Sequence, residues 1–257
     1  MGQKLENARS LYLEGIRDGN PREAIAKYTG DRYTQHSTGV KDGQAGFIEF
    51  FEDFLARHPQ REIHLVRGFE DGQHVFVHAH QVLGGGETQW VTMDFFDTDA
   101  QDRIIEHWDV IAAFSGPNPS GRTQVDGETE IRDLDRTDAN KATVRAMITD
   151  LLMRGGDLTK IDAYVAEDYQ QHNPEVGDGR ATFASLLAAP DRKLWYDDIV
   201  LLVGRGNFVA TLCRVHWGDQ EYAQTDLFRL ADGVIVEHWD AAEPVPAPED
   251  LANGGKF

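Results

Sequence analysis

The sequence predicts an α+β protein made of two tandem cone-shaped domains, each a curved antiparallel sheet wrapped on N-terminal helices. Two observations predict this. Three short motifs recur in the same order and at nearly constant spacing: DRYTQH at 31–36 with EDYQQH at 167–172, MDFF at 93–96 with TDLF at 225–228, and IIEHWD at 104–109 with IVEHWD at 235–240. In each half, helical periodicity comes first and strand-like alternation follows.

The first half begins with a helix. Apolar residues recur at helical spacing from Leu5 to Ile16, and Gly19 and Pro21 end the pattern, so we expect a helix over 5–18. A short helix over 24–28, a loop carrying Tyr-x-Gln-His and a helix over 45–55 follow. Alternating and β-branched runs separated by turn residues then predict strands over 62–67, 74–83, 89–97 and 104–112.

The second half predicts the same order of elements. Helices are expected over 141–154, 158–164 and 181–187, and strands over 197–203, 208–215, 221–230 and 234–241. Glycine and proline cluster at 116–121, and a polar stretch continues to residue 138. We therefore expect a first domain over 1–115, a linker over 116–138 and a second domain over 139–257, which ends in a proline-rich, extended tail.

Composition excludes several classes of function. The chain of 257 residues carries 25 basic and 44 acidic side chains, a net charge of −19, which argues against nucleic acids and anionic membranes as partners. Cys213 is the single cysteine, so no intrachain disulfide can form. The N-terminal stretch lacks the apolar core of a signal peptide, and no apolar run is long enough to span a membrane. We expect a cytoplasmic protein.

The first candidate site is a carboxylate and an imidazole on neighbouring strands. Asp94 and His80 flank the turn at 84–86, and His78 shares the parity of His80. Opposed across a hairpin, such a pair can act as acid and base, and desolvation would raise the pKa of Asp94. A buried aspartate that only pairs with His80 for structural reasons is the alternative. His78 and His80 with Asp94 could also supply metal ligands, although we expect no metal.

Further candidates lie in the repeated motifs. His107 and Asp109 alternate on one strand, and His238 recurs with them in the second half; the sequence does not decide which face of this strand points into the cone. A purely structural strand end is the alternative. Tyr33 with His36, and His172 in the second copy, follow short helices and could line the mouth of a pocket. Cys213 stands mid-strand in an apolar run, where buried packing is expected.

These residues resemble those of SnoaL-like proteins, in the nuclear transport factor 2-like superfamily of α+β cones. The resemblance rests on the DRYTQH, Asp94-Phe95-Phe96 and EHWD segments together with the strand carrying His78 and His80, and most of them recur in the second half. It implies a pocket that performs acid/base chemistry without metal or cofactor, as polyketide cyclases of the family do in an intramolecular aldol condensation. That role would fall on Asp94, with His80 as its neighbour.

The resemblance also implies differences between the halves. The first half has the full set of His36, His80, Asp94 and His107, whereas the second has His172, Asp226 and His238, with Cys213 near the position of His80. Activity of the second pocket is therefore in doubt. Because single-domain relatives form dimers through the sheet, we expect the two halves to pack as an intrachain pseudo-dimer.

Two hypotheses of function follow. The chain is an enzyme that performs aldol condensation, isomerisation or dehydration of a hydrophobic carbonyl compound, with Asp94 abstracting a proton and His80 or His107 relaying it. Alternatively, it is a non-catalytic protein of the same fold that binds a hydrophobic small ligand.

Overall fold

The computed structural model describes residues 2–257, and the chain divides into two compact units. The first unit combines Met1–Ala113 with Val245–Phe257, and the second comprises Phe114–Pro244. The proline-rich tail, which the sequence places in the second domain, thus belongs to the first unit, where the backbone N–H of Ala252 donates to the carbonyl of Thr38 at 3.0 Å. The domain boundaries drawn from the sequence stay predictions.

The first unit places its helices before most of its strands. Its elements are α1 (Gln3–Ser10), which continues as a wider π-helical turn over Leu11–Arg17, α2 (Pro21–Tyr28), β1 (Thr29–Gln35), α3 (Gly43–Arg57), β2 (Arg61–Asp71), β3 (His74–Leu83), β4 (Thr88–Thr98) and β5 (Ile104–Ala113). The predicted helix over 5–18 is therefore a continuous helix that changes from α-helical to π-helical hydrogen bonding after Ser10. The strands form one sheet in the order β1-β5-β4-β3-β2.

The second unit repeats this plan. Its elements are α4 (Thr137–Met147), extended by a π-helical turn over Ile148–Leu152, α5 (Ile161–Tyr164), β6 (Val165–Gln171), α6 (Arg180–Leu187), β7 (Leu194–Arg205), β8 (Phe208–Trp217), β9 (Gln220–Ala231) and β10 (Val234–Pro244). The sheet order is β6-β10-β9-β8-β7. The α+β class and the two tandem cone domains are confirmed.

One feature of the predicted sheets is wrong. The Tyr-x-Gln-His segment, expected as a loop, forms the strands β1 and β6, and each pairs in parallel with the last strand of its unit, so the sheets are mixed rather than antiparallel. The pairing is short and interrupted by a register shift. Because the segment lacks a run of β-branched residues, it carries little strand signal. Burial nevertheless alternates along it, with Tyr33 and Gln35 inward.

Each sheet curves over the helices of its own unit, and its concave face forms the core. In the first unit, Val75 and Val77 of β3 and Phe96 of β4 pack with Leu11 and Phe47 of the helices. In the second unit, Val209 and Phe228 pack with Val144 and Leu151. The helix that closes this face differs between the units: α3 has 15 residues and α6 has 8. No helix among residues 2–257 is both long enough and apolar enough to cross a membrane.

The packing of α3 predicts the effect of one substitution. A Cβ atom on Gly46 would lie 2.2 Å from the backbone carbonyl oxygen of Lys41, a contact that a flexible side chain cannot relieve. Helix propensity alone would make Gly46→Ala stabilising by about 0.5–1 kcal/mol. We expect instead a destabilisation of roughly 1–3 kcal/mol from overpacking, measured by urea unfolding.

Gly39→Ala is the matched control. The nearest atom to its added Cβ is Cε2 of Phe50 at 3.7 Å, an ordinary contact, so its unfolding free energy should change by less than about 0.5 kcal/mol. Equal effects of the two substitutions would contradict the close approach of α3 to Lys41.

Candidate functional site

The concave face of the first unit encloses a cavity of about 470 Å³. This volume lies in the range of small-molecule sites. Its wall is mostly aromatic and aliphatic, and a few polar groups converge at one end. The lining side chains that the chemistry below uses are Tyr12, Tyr33, Gln35, Ser37, His107 and Asp109, and the apolar wall includes Phe47, Phe50, Phe51, Phe54, Trp90 and Ile111.

Strand register brings a histidine and two aspartates together beside this cavity. Asp94 of β4 lies opposite Asp109 of β5. His107 of β5 lies opposite Phe96, and because Phe96 is two residues after Asp94 on β4, His107 is on the same face as both aspartates. His107 Nε2 is 2.9 Å from Asp94 Oδ1, and the side chain of Asp94 is fully buried. The face of the EHWD strand that the sequence left open is therefore settled: His107 and Asp109 face the cavity.

Gln35 fixes the protonation of His107. The amide oxygen of Gln35 accepts the backbone N–H groups of His36 and Ser37, both at 2.9 Å, which orients the amide. The same oxygen lies 2.8 Å from His107 Nδ1, which must therefore carry a proton. Since Nδ1 is always protonated, Nε2 and the Asp94 carboxyl share one further proton between them, as imidazolium with carboxylate or imidazole with carboxylic acid.

Asp94 has the environment of a carboxyl that ionises reluctantly. Its Oδ1 accepts the Tyr12 hydroxyl at 2.7 Å, while its Oδ2 is buried without a hydrogen-bond partner among residues 2–257. Desolvation raises the pKa of Asp94, although its contacts with His107 and Tyr12 oppose this. The raised pKa expected from the sequence is confirmed in direction. The partner is different: it is His107, and not His80.

Asp109, in contrast, is stabilised as an ionised carboxylate. Its Oδ1 accepts the ammonium of Lys256 at 2.9 Å, and both side chains are buried. Burial by itself would raise the pKa of Asp109, but the charge of Lys256, aided by His107, lowers it below its ordinary value. Asp109 is consequently the carboxylate that the cavity meets in ionised form.

Tyr33 provides a hydroxyl donor in the same wall. Gln35 Nε2 donates to the Tyr33 hydroxyl oxygen at 3.4 Å, so the hydroxyl proton is directed elsewhere. Desolvation, together with the charges of Asp109 and Asp94, raises the pKa of Tyr33, which keeps it a neutral phenol. A neutral phenol beside an apolar cavity can donate to a carbonyl oxygen.

The second unit has the same arrangement around a cavity of about 390 Å³. His238 Nε2 lies 2.9 Å from Asp226 Oδ1, and His238 Nδ1 lies 3.0 Å from the amide oxygen of Gln171. That oxygen also accepts the backbone N–H of Asn173 at 2.9 Å, so the same proton is fixed on Nδ1. The Tyr196 hydroxyl lies 3.0 Å from both oxygens of Asp226.

Asp240, the counterpart of Asp109, has neutral partners. Asn173 Nδ2 donates to it at 2.8 Å and Gln224 Nε2 at 3.3 Å. Desolvation raises the pKa of Asp240, and the nearby Asp226 adds to this, although His238 opposes it. The desolvation of His238 is outweighed by Asp226 and Asp240, so the pKa of His238 is raised. The counterpart of Asp109 is therefore met by amides and not by an ammonium group, while the aspartate–histidine geometry is the same in both cavities.

The structure corrects the predicted contact between Asp94 and His80. In the β3–β4 hairpin Asp94 lies opposite Val77 and His80 lies opposite Val91, so the two side chains are on opposite faces of the sheet. His80 Nε2 forms a hydrogen bond with Gln89 Oε1 at 2.9 Å. His78 is also on the outer face, where its Nδ1 lies 3.3 Å from Arg67 Nη1. His78 and His80 lie on one face, as their parity predicts, but parity within one strand does not determine the register of the hairpin.

Cys213 is likewise not the counterpart of His80. Cys213 pairs with the residue two before Asp226, and Ala79 pairs with the residue two before Asp94. The position of His80 is occupied in the second unit by Arg214. The doubt about the second pocket, which rested on Cys213, therefore loses its basis.

His36 and His172, expected at the pocket mouth, lie on the outer side of their sheets. His36 Nε2 contacts Glu106 at 2.9 Å and its ring stacks on Trp108 at 4.8 Å. His172 makes the same two contacts with Glu237 and Trp239, at 2.9 and 4.6 Å. The recurrence of these histidines thus marks a repeated packing arrangement.

Several site residues escaped the sequence analysis. Gln35 and Gln171 were inside the repeated Tyr-x-Gln-His element, and that repetition was the available signal. Tyr12 lies inside the apolar repeat from Leu5 to Ile16, which predicts only that its side chain faces the core. Nothing in the repeats indicated Tyr196 or Lys256, because neither has an identical counterpart in the other half.

The two clusters also have the composition of cation sites. Asp94, His107 and Asp109 each offer a ligand atom within 4.8 Å of the others, as do Asp226, His238 and Asp240. In the first cluster, however, Asp109 accepts a hydrogen bond from the ammonium group of Lys256. The two ring nitrogens of His107 already have Gln35 and Asp94 as partners. The donor set fits a proton-sharing network better than a metal.

Comparison with solved structures found similar proteins that each cover less than half of this chain. A candidate ketosteroid isomerase from Kribbella flavida shares 20% identity over 44% of this chain and 84% of its own, with a TM-score of 0.39. An LEH-like epoxide hydrolase from M. tuberculosis shares 20% identity over 42% of this chain and 85% of its own, with a TM-score of 0.36. A candidate polyketide cyclase from Bacillus cereus shares 14% identity over 42% of this chain and 73% of its own, with a TM-score of 0.38. Comparison with the curated protein sequences found no match.

The family profile is the decisive finding. The profile described as the SnoaL-like domain matches twice, over residues 10–107 and 144–238, which together make up most of the chain. The two matches contain both aspartate–histidine pairs. The chain belongs to the SnoaL-like family and carries two of its domains in tandem.

Proposed function

We propose that the first pocket transfers a proton on a hydrophobic carbonyl compound without a cofactor. The observation that carries this proposal is the buried Asp94–His107 pair, which shares one proton beside a cavity of aromatic and aliphatic side chains. Beside this cavity, Asp94 and Asp109 are two carboxyl groups whose surroundings push their pKa values apart, upward for Asp94 and downward for Asp109, which is typical of acid/base sites. The family membership supports the same class of cyclase or isomerase chemistry.

The geometry suggests how the polar groups divide the work. Tyr33 donates its hydroxyl to the carbonyl oxygen of the ligand, and the ionised Asp109, which lines the cavity, accepts the proton from the adjacent carbon. The C–H electron pair becomes the enolate, which Tyr33 stabilises. Asp94, assigned from the sequence as the base, lies behind His107, and the pair can supply or take up the balancing proton.

The enolate can then follow one of three routes. Return of the proton to a different carbon gives isomerisation, attack on a second carbonyl of the same molecule gives an aldol ring closure, and loss of a β-hydroxyl group gives dehydration. All three need a base, a donor to oxygen and an apolar enclosure, which are the features of this pocket. Its aromatic wall favours a ligand whose remaining surface is hydrophobic.

A non-catalytic ligand-binding role is the second candidate. It is favoured by the full engagement of His107, whose two nitrogens both have partners within the protein. In this case the polar cluster would orient a bound compound and would not exchange protons with it. The packing of the two domains as a pseudo-dimer and the cytoplasmic location both stay predictions.

Proton exchange at carbon tests the enzyme hypothesis without knowledge of the natural substrate. A panel of hydrophobic ketones incubated in D₂O should incorporate deuterium next to the carbonyl, followed by proton NMR. Asp94→Asn removes the group that shares the proton with His107 and should lower the exchange rate on the order of a hundredfold. His80→Gln, on the outer face, should leave it unchanged.

The reverse pattern, loss of exchange in His80→Gln and retention in Asp94→Asn, would refute this assignment. Asp226→Asn combined with Asp94→Asn identifies any exchange that the second pocket performs.

Ligand binding is expected at both pockets under either hypothesis. Native mass spectrometry of the intact chain with a hydrophobic ketone should show up to two bound molecules, because both cavities have the volume of a small-molecule site. Binding without deuterium incorporation across the panel would support the non-catalytic role, and absence of binding would contradict both hypotheses.

A further inference from the structure

The C-terminal segment Val245–Phe257 completes the polar end of the first pocket. Asn253 Nδ2 donates to the carbonyl oxygens of Ser37 and Val40 at 2.6 and 2.8 Å, and the Gly255 carbonyl accepts from His36 Nδ1 at 2.7 Å. These contacts fix the backbone on both sides of the pocket edge. The next residue, Lys256, is thereby directed inward.

Lys256 is buried to an extent unusual for a lysine. Its side chain is 1% exposed, and its ammonium lies 2.9 Å from Asp109 Oδ1. An ammonium ion removed from water needs an anionic partner, or it loses its proton. The position therefore requires Asp109 to be ionised, and Asp109 in turn requires Lys256.

The second unit has no such cation at the equivalent place. There the carbonyl that accepts from His172 Nδ1 belongs to Thr123, and the following residue is Gln124, buried like Lys256. The Gln124 amide oxygen accepts the backbone N–H of Ser115 at 2.9 Å. Asp240 is met by the amides of Asn173 and Gln224, and no Lys or Arg among residues 2–257 forms an ion pair with it.

Charge counting shows the consequence. In each unit the aspartate–histidine pair shares one proton and is neutral as a whole, because the glutamine keeps the other histidine nitrogen protonated. In the first unit Asp109 and Lys256 also cancel. In the second unit, where Asp226 and His238 are buried and Asp240 is half-buried, an ionised Asp240 would leave the cluster with one net negative charge, which protonation removes.

We propose that Lys256 makes the two pockets chemically different: it holds Asp109 as a carboxylate that accepts a proton, whereas Asp240, which lacks such a cation, keeps its proton to a higher pH and can donate it to an oxygen of its ligand. Lys256 acts through Asp109 and is a positioning residue. The first pocket then suits a carbonyl compound with an acidic C–H group. The second suits a compound that presents a carbonyl or carboxylate oxygen.

Among the other groups that face the two carboxyls, the amides of Asn173 and Gln224 meet Asp240 where Ser37 meets Asp109. The hydrogen bonds from these amides lower the pKa of Asp240, so they do not explain why it is raised. The titratable and polar groups around Asp109 are His107, Asp94, Tyr12, Tyr33 and Ser37 in addition to Lys256. Those around Asp240 are His238, Asp226, Tyr169, Tyr196, Asn173 and Gln224. Only the direction of proton transfer rests on the proposed function; the difference in how readily the two carboxyl groups ionise does not.

Carbon-13 NMR titration of the full chain tests the proposal directly. The carboxyl signals of Asp109 and Asp240 are assigned by their loss in Asp109→Asn and Asp240→Asn. In the wild-type protein the titration midpoint of Asp109 should lie below the ordinary value of about 3.9 and that of Asp240 above it. In Lys256→Met the Asp109 midpoint should rise by about 1 to 3 on the pH scale, because the positive charge is lost.

Two internal controls separate charge from packing. The Asp240 midpoint in the same Lys256→Met spectra should not move, and Lys256→Arg should keep the Asp109 midpoint low. If Lys256→Met does not fold, the wild-type comparison decides: an Asp109 midpoint at or above that of Asp240 overturns the proposal. An unchanged Asp109 midpoint in folded Lys256→Met overturns it as well. Failure of the deuterium exchange assay would affect the proposed function and leave these titrations untouched.

Discussion

The hydrogen bonds to the amide oxygen of Gln35 determine the chemistry of the first pocket. Two backbone N–H groups orient this amide, and it fixes a proton on Nδ1 of His107. The other nitrogen is then left to share a single proton with Asp94. Because the parallel pairing of β1 with β5 places Gln35 beside His107, the protonation state of the site depends on a strand of only seven residues. Gln171 and His238 repeat the same constraint.

In the two units, the hydroxyl group that donates a hydrogen bond to the buried aspartate comes from different secondary-structure elements. The hydroxyl on Asp94 comes from Tyr12 in the helical layer, and the hydroxyl on Asp226 comes from Tyr196 on β7. By register, the residue of the first unit at the position of Tyr196 is Ile63. The requirement is therefore for a phenol on the carboxylate and not for a tyrosine at one sequence position. A buried carboxylate without such a donor would be costly.

Sequence reasoning reached the fold and part of the site. The repeat predicted two domains, and the spacing of apolar residues predicted the helices and eight of the strands, because both signals are local. Asp94, His107, Asp226 and His238 were candidates because they lie inside the repeated motifs, and the structure places them in the two clusters; their catalytic and binding roles stay predictions.

The rest depended on information that local patterns do not contain. The face on which His80 lies depends on the register of the β3–β4 hairpin, and a change of one residue in that register would reverse it. Lys256 reaches Asp109 only because the chain returns to the first unit after completing the second. A contact between segments so distant in sequence produces no local periodicity or motif from which it could be predicted.

The unequal lengths of α3 and α6 give the two cavities different walls. Four phenylalanines on the longer helix line the first cavity, whereas the shorter helix leaves Leu186, 48% exposed, on the wall of the second, together with Trp217, 51% exposed. A ligand in the first pocket would therefore lie against aromatic rings from a single helix. A hydrophobic ligand in the second pocket would cover two apolar side chains that now face water, and their removal from water would add to its affinity.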